Sequence, residues 1–249
     1  MTRLICGLQP VREAIRARGS ELTRVLVDDM KDAPQLDAIA RYATDHGAKV
    51  ERVARGELDR MARGAHHQGA IAVAPELSIK TLHDLELGPS TLLCALDELQ
   101  DPQNFGAVIR SAVALGATGV LWPEHRSAPL SMATFRASAG AVEHATLCRV
   151  GSLPDALVKL RGSGLLAVGL DAQGPVMLSE VDLTGPIVLV VGAEGKGLRR
   201  TVKGACDHVA RLPMAGPIAS LNASVAAAIA LYETARQRTA SRAEPSASK

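Results

Sequence analysis

Four groups of residues in this 249-residue chain have types and spacing that could do chemistry. Gly192-Ala193-Glu194-Gly195-Lys196-Gly197 follows the apolar run Ile187-Val188-Leu189-Val190-Val191. Such a turn can take backbone angles closed to other residues and can present main-chain N–H and C=O groups to a ligand. A second group is Arg211-Leu212-Pro213-Met214-Ala215-Gly216, followed by Ser220-Leu221-Asn222-Ala223-Ser224, which opens an Ala-rich helical segment. A third is Asn104, which fits a helix N-cap, with Arg110 almost two turns further on. The fourth is basic and polar: Arg52, Arg55, Arg60, Arg63, His66, His67 and Gln68. That rim suits phosphates and RNA edges, and it equally suits a solvated face with a turn. Arg126, in the loop Glu124-His125-Arg126-Ser127, divides between the same two readings.

The glycine turn is not one of the two common phosphate cradles. A dinucleotide fingerprint needs G-x-G-x-x-G after a strand, whereas the order here is Gly192-x-x-Gly195-x-Gly197, late in the chain. A P-loop needs a hydroxyl residue after its lysine, and Lys196 is followed by Gly197. A Rossmann dehydrogenase is thereby disfavoured. A purely structural turn remains open at this level.

The elements that must position these residues follow from hydrophobic period and punctuation. Strands are expected at Leu4 to Cys6, Leu22 to Val27, Lys49 to Val53 and Ala70 to Ala74, with helices from Pro10, from Pro34 to His46 and briefly at Leu58 to Ala62. Further on, apolar runs at Leu92 to Leu96, Gly119 to Trp122, Thr146 to Val150, Leu165 to Gly169 and Ile187 to Val191 alternate with helical segments. Near-continuous apolar strands between helices indicate an α/β fold with a parallel sheet covered on both faces. The expected domains are residues 1–75 and 91–238, joined by a linker over 76–90 and followed by a disordered polar tail over 239–249.

Composition bounds the function. The hydrophobic fraction is 47%, the charged fraction 22% and the net charge +2, those of an ordinary globular protein whose sequence does not by itself demand nucleic acid. Aromatics at 2% argue against a binder that stacks successive bases on rings. Cys6, Cys94, Cys148 and Cys206 lie far apart without a C-x-x-C pair, so no metal or redox site is expected and a reducing compartment suits them. With neither a signal-peptide core nor a membrane-length apolar run, the expectation is a cytoplasmic protein without a membrane partner.

Three segments in register carry a resemblance. Asp101-Pro102-Gln103-Asn104-Phe105-Gly106-Ala107-Val108-Ile109-Arg110-Ser111-Ala112, Val191 to Leu198, and Leu212-Pro213-Met214-Ala215-Gly216 through Ser220 to Ser224 and on to Tyr232-Glu233 resemble motifs 1, 2 and 3 of the SpoU/TrmH family of RNA ribose 2′-O-methyltransferases. Leu212 stands where Ile is usual and Ala223 where Val is usual, both apolar exchanges. Ile5 to Val11 and His67-Gln68-Gly69 are similar to the small L30e-like substrate-binding domain of many members. The likeness is nearest to members that methylate a guanosine in the peptidyl-tRNA-binding loop of 23S rRNA.

The resemblance implies S-adenosylmethionine as methyl donor, a SPOUT-type domain with a C-terminal trefoil knot, a homodimer, and RNA as substrate. It implies that Gly192, Leu212 and Leu221 bind the cofactor through main chain, with Met214 and Gly197 close by. It makes Arg110, Asn104, Glu194, Ser220 and Asn222 the catalytic residues, with Glu194 facing the reacting centre opposite Arg110. It leaves Arg55, Arg63, His67, Gln68 and Arg126 as RNA contacts. Because an arginine stays protonated, Arg110 is better read as binding RNA phosphate and stabilising a developing alkoxide than as a base. The same chemistry on tRNA or another rRNA site, and a non-catalytic ribosome-assembly factor, are the alternatives.

Overall fold

The computed structural model describes every residue except Met1, Lys31, Asp32, Glu194, Lys196, Ala219 and 244–249. The chain divides into two units, Met1–Ser78 with Leu130–His144, and Ile79–Pro129 with Ala145–Lys249.

In the first unit the elements are β1 (Thr2–Cys6), α1 (Leu8–Arg18), β2 (Arg24–Asp28), α2 (Pro34–Asp45), β3 (Val50–Val53), α3 (Arg55–Ala62) and β4 (Ala70–Pro75). They build a four-stranded sheet in the order β1-β4-β2-β3. β4 runs antiparallel to both neighbours, and β2 and β3 are parallel. Alternation along β2 divides the core. Val25 and Val27 pack with Val11 and Ile15 of α1 and Leu36 and Ile39 of α2, while Leu26 points the other way to Leu58 of α3.

The remaining elements are β5 (Ile79–Lys80), β6 (Leu92–Asp97), α4 (Pro102–Ala114), β7 (Gly119–Pro123), α5 (Met132–Ala137), β8 (Leu147–Val150), α6 (Leu153–Gly162), β9 (Leu166–Leu170), β10 (Val176–Met177), β11 (Ile187–Gly192), α7 (Arg200–Ala205), β12 (His208–Arg211) and α8 (Ala223–Ala243). α5 falls in the first unit. There the buried Glu143 carboxylate accepts hydrogen bonds from Arg3 at 2.7 and 2.5 Å and from Arg18 at 2.6 Å.

The second unit is built on an eight-stranded sheet in the order β10-β12-β9-β11-β6-β7-β8-β5, with every pairing parallel. β6, β7 and β11 are buried along their whole length, as strands covered on both faces must be. The chain steps outward from β6 through β7 to β8, crosses to β9, and then inserts β11 between β9 and β6. The C-terminal ends of β6, β9 and β11 therefore share one edge of the sheet, the end where open α/β folds collect ligands.

Three expectations are corrected by the structure, and one element has no counterpart among them. The stretch expected as a linker contains β5, which forms the end of the sheet because Ile79 and Lys80 pair with Leu147 and Cys148 of β8. Asn104 does not cap α4. Asp101 does, its carboxylate accepting from the N–H groups of Gln103 at 3.1 Å and Asn104 at 3.2 Å. Residues 239–243, expected within the polar tail, belong to α8, which continues to Ala243, and residues 244–249 lie outside the described ones. α7 was not foreseen. Its six residues are too few for a helical period to show in sequence.

Candidate functional site

At the C-terminal edge of the sheet, Leu170, Val191, Gly192 and Ala210 close the floor of a cavity of about 310 Å³. Leu212, Met214, Ser220, Leu221 and Gly197 form its other walls, so the second and third motif segments meet around one space. Glycine is required in this floor. A Cβ at Gly192 would fall 2.6 Å from Leu198 N and closer still to the carbonyl of Gly197. Gly195 and Gly197 have φ of 72° and 62°, in the left-handed region that side chains disfavour. Gly197 N–H donates to Ala193 C=O at 3.0 Å and closes the turn on itself.

Asp171, which follows the apolar strand β9, lines the same cavity. Its carboxylate meets Lys203 Nζ at 2.6 Å and accepts from Gln173 N–H at 3.0 Å. Partial burial works to raise its pKa, but the lysine and the backbone donors of Gln173 and Leu198 outweigh this and hold it below the ordinary carboxylate value. An anion is thereby fixed beside the glycine turn. The sequence signal was faint: one Asp after an apolar strand, with a partner thirty-two positions away on an unforeseen helix.

Asn104 and Asn222 come together from opposite ends of the unit. Asn222 caps α8, its Oδ1 accepting from the N–H groups of Ser224 at 2.9 Å and Val225 at 3.3 Å. Its Nδ2 donates to Asn104 Oδ1 at 2.9 Å. Ser224 Oγ lies 3.1 Å from Asn104 Oδ1 and 2.6 Å from Asn222 Oδ1, and its single proton serves one or the other. α4 and α8 are thus joined by side-chain amides beside the cavity. Asn104 is almost fully buried within that network.

Arg110 projects from α4 into solvent and makes no hydrogen bond or ion pair among the described residues. Its guanidinium is available to an external anion. Glu194 lies outside the described residues, so its expected place opposite Arg110 is not part of the geometry.

A second set of charges ties the neighbouring strand end to the turn. The fully buried Asp97 at the end of β6 accepts from Arg199 Nε at 2.6 Å and from Arg199 N–H at 2.8 Å. Arg199 also reaches Glu98 at 2.9 Å, and Arg126 reaches Glu98 at 3.4 Å.

The residues expected at an RNA rim separate. In the first unit, Arg55 and Arg63 are exposed, and Arg55 Nη1 lies 3.4 Å from Asp28. Gln68 is exposed but its Oε1 accepts from Leu8 N–H at 3.2 Å. His67 is corrected. It is buried, with Nε2 2.9 Å from Asp59 of α3 and Nδ1 accepting from Gly69 N–H at 3.0 Å, so one ring nitrogen ties the turn before β4 to α3, the other closes that turn, and neither is left for RNA. In the second unit Arg126 is exposed. Among the described residues no group of three or more His, Cys, Asp or Glu could hold a metal ion, and no helix is long and apolar enough to cross a membrane.

Fold and cavity define an α/β protein with a small-ligand site at the carboxyl edge of a parallel sheet. The comparisons identify which such class. Residues 91–232 match the SpoU rRNA Methylase family, and residues 4–79 match the RNA 2'-O ribose methyltransferase substrate binding family. The chain belongs to the SpoU methylase family. An uncharacterized tRNA/rRNA methyltransferase of Mycobacterium sp. (strain KMS) is 42% identical over 95% of this chain and 77% of its own. The SpoU methyltransferase AviRb from Streptomyces viridochromogenes, solved with AdoMet, superposes with a TM-score of 0.79 at 27% identity over 96% of this chain and 91% of that one. An AdoMet-bound rRNA methyltransferase from Sinorhizobium meliloti gives 0.77 at 27% identity, over 94% of this chain and 87% of that one.

Proposed function

We propose that this chain transfers a methyl group from S-adenosylmethionine to the 2′-hydroxyl of a guanosine ribose in 23S rRNA, in the peptidyl-tRNA-binding loop. The observation that carries the reading is the single cavity in which Gly192, Gly197, Leu212, Met214, Ser220 and Leu221 meet. Its backbone-lined floor, with no room for a Cβ at Gly192, fits a ligand read by main-chain groups. The main chains of Gly192, Leu212 and Leu221 would hold the cofactor, with Met214 at the mouth. When bound, S-adenosylmethionine supplies a methyl group on a sulfonium, an electrophile strong enough to need no metal.

The chain's own contribution is alignment and charge. Arg110, exposed and without a carboxylate partner among the described residues, binds an RNA phosphate and stabilises negative charge developing on the 2′-oxygen. The displaced proton leaves to phosphate or water, since a guanidinium cannot accept it. Asn104 and Asn222 hold α4 and α8 in register, which fixes Arg110 relative to the cavity. Arg110→Ala should abolish methyl transfer while leaving cofactor affinity within about twofold, checked by a tritiated-methyl assay beside calorimetry. Turnover on RNA retained by Arg110→Ala, or a loss of turnover matched by lost cofactor binding, would sink the assignment.

The same reading makes the first unit an L30e-like RNA-binding domain and the second a trefoil-knotted SPOUT domain. It also makes the protein a cytoplasmic homodimer. Support for the dimer comes from α8, where Val225, Ile229 and Tyr232 are 46%, 39% and 60% exposed and flank a groove against Ala107 and Ser111 of α4. Ribose methylation mapped by mass spectrometry in 23S rRNA, from cells with and without the protein, tests the substrate. An unchanged map moves the target to tRNA or another rRNA, in keeping with the tRNA/rRNA naming of the relatives.

A further inference from the structure

The first unit contains a cavity of about 900 Å³ that the methyl-transfer site does not use. Edge strand β1, the end of α3 and the segment around α5 surround it, all within that unit. Its apolar wall includes Met61, Met132 and Phe135, and Arg3 Cζ stands 5.5 Å from the centre of the Phe135 ring. A guanidinium over a ring makes a rigid flat platform. Thioether side chains on either side can adapt to a planar guest.

The cavity is also positively charged. Arg60, Arg63 and Arg136 line it, are exposed, and make no ion pair among the described residues. Arg24 is paired with Glu51, and Arg3 with Glu143. Of the two acidic lining residues, Glu143 is already neutralised by Arg3 and Arg18, which leaves Glu57 against three guanidinium groups that make no ion pair among the described residues, Arg60 donating from Nε to the Gly56 carbonyl at 3.3 Å. An apolar wall beside an excess of positive charge matches a guest that joins a planar ring to phosphate.

We propose that this cavity receives an unpaired nucleotide of the substrate RNA, with its base against Met61, Met132 and Phe135 and its flanking phosphates against Arg60, Arg63 and Arg136. The inference rests on the reading that the chain acts on RNA. A paired base is buried in its stack and cannot enter, so the cavity selects loops and bulges over continuous helix.

Binding of a stem-loop RNA and of a fully paired duplex of equal length, each measured across a salt series, tests this. The combined Arg60→Ala, Arg63→Ala, Arg136→Ala protein should bind the stem-loop more weakly, with its log–log salt slope shallower by about 2. Ala133→Trp, which sets a bulky ring into the cavity without changing charge, should weaken the stem-loop about tenfold, leave the slope unchanged and spare the duplex. If Ala133→Trp does not fold, photocrosslinking of a 4-thiouridine loop to the wild-type protein decides, with adducts expected on peptides carrying Met61, Met132 or Phe135. Wild-type affinity in both variants, or adducts confined to other peptides, overturns the site while methylation by the wild-type protein keeps the RNA reading intact. A wild-type protein that neither binds nor methylates RNA overturns both.

Discussion

Gly192 shows how one residue without a side chain can set the limits of a site. The backbone of Gly197 and Leu198 occupies the place its Cβ would take, so Gly192→Ala must push the turn open. The expected outcome is loss of measurable cofactor binding by calorimetry with the far-ultraviolet spectrum unchanged, because the shift is confined to the cavity floor. Asp171 carries the opposite lesson, that of a charged group whose value depends on its partner. Its native pKa is depressed, so its contribution to stability is present above the ordinary carboxylate value and disappears as pH falls through the lowered native one. Wild type should therefore exceed Asp171→Asn in urea midpoint near neutrality, and the two should converge below about pH 4. A constant difference across that range would dissociate the stabilisation from the ion pair with Lys203.

At the scale of elements, α8 is held at both ends by side chains. At its start, Asn222 both caps the helix and reaches Asn104 of α4. Towards its end, Arg238 donates to the carbonyls of Ser90, Thr91, Leu183 and Gly185 at 2.6 to 3.2 Å, and burial pulls its pKa below the usual guanidinium value. Those carbonyls lie ahead of β6 and β11, so the helix spans the unit from the cavity edge of the sheet to its opposite edge. Arg238→Ala should cost about 2 kcal/mol in urea denaturation. Arg238→Lys should recover little of it, since one ammonium cannot reach acceptors arranged for a planar fork.

At the scale of the whole molecule, the exposed Val225, Ile229 and Tyr232 recur at intervals of four and three, one side of a helix whose other side is buried by Ala227, Ala230 and Leu231. A second copy of this chain is the proposed cover. Tyr232→Glu should shift the protein from dimer to monomer in light scattering at micromolar concentration, because a desolvated carboxylate has no partner in an apolar seam. A dimer that survives the substitution would locate the interface elsewhere.

Strand order, by contrast, could not be read along the chain. Period and punctuation located the long strands and helices of both units, because apolar alternation and terminal glycines are local properties. The motif segments and the glycine spacing were legible for the same reason. Local sequence could not place β11 between β9 and β6, put His67 inside and Arg110 outside, or bring Asp171 to Lys203 and Asn104 to Asn222. The assignment of the cap was missed at one-turn resolution, since Asp101 and Asn104 are both good capping residues and only backbone geometry chooses between them. The sequence by itself determined which residues could do chemistry and that a parallel sheet would carry them. Tertiary structure decided which of them share a cavity, because burial and pairing depend on contacts between segments distant in sequence, from Leu170 to Ala226 around the cavity and from Asn104 to Asn222 beside it.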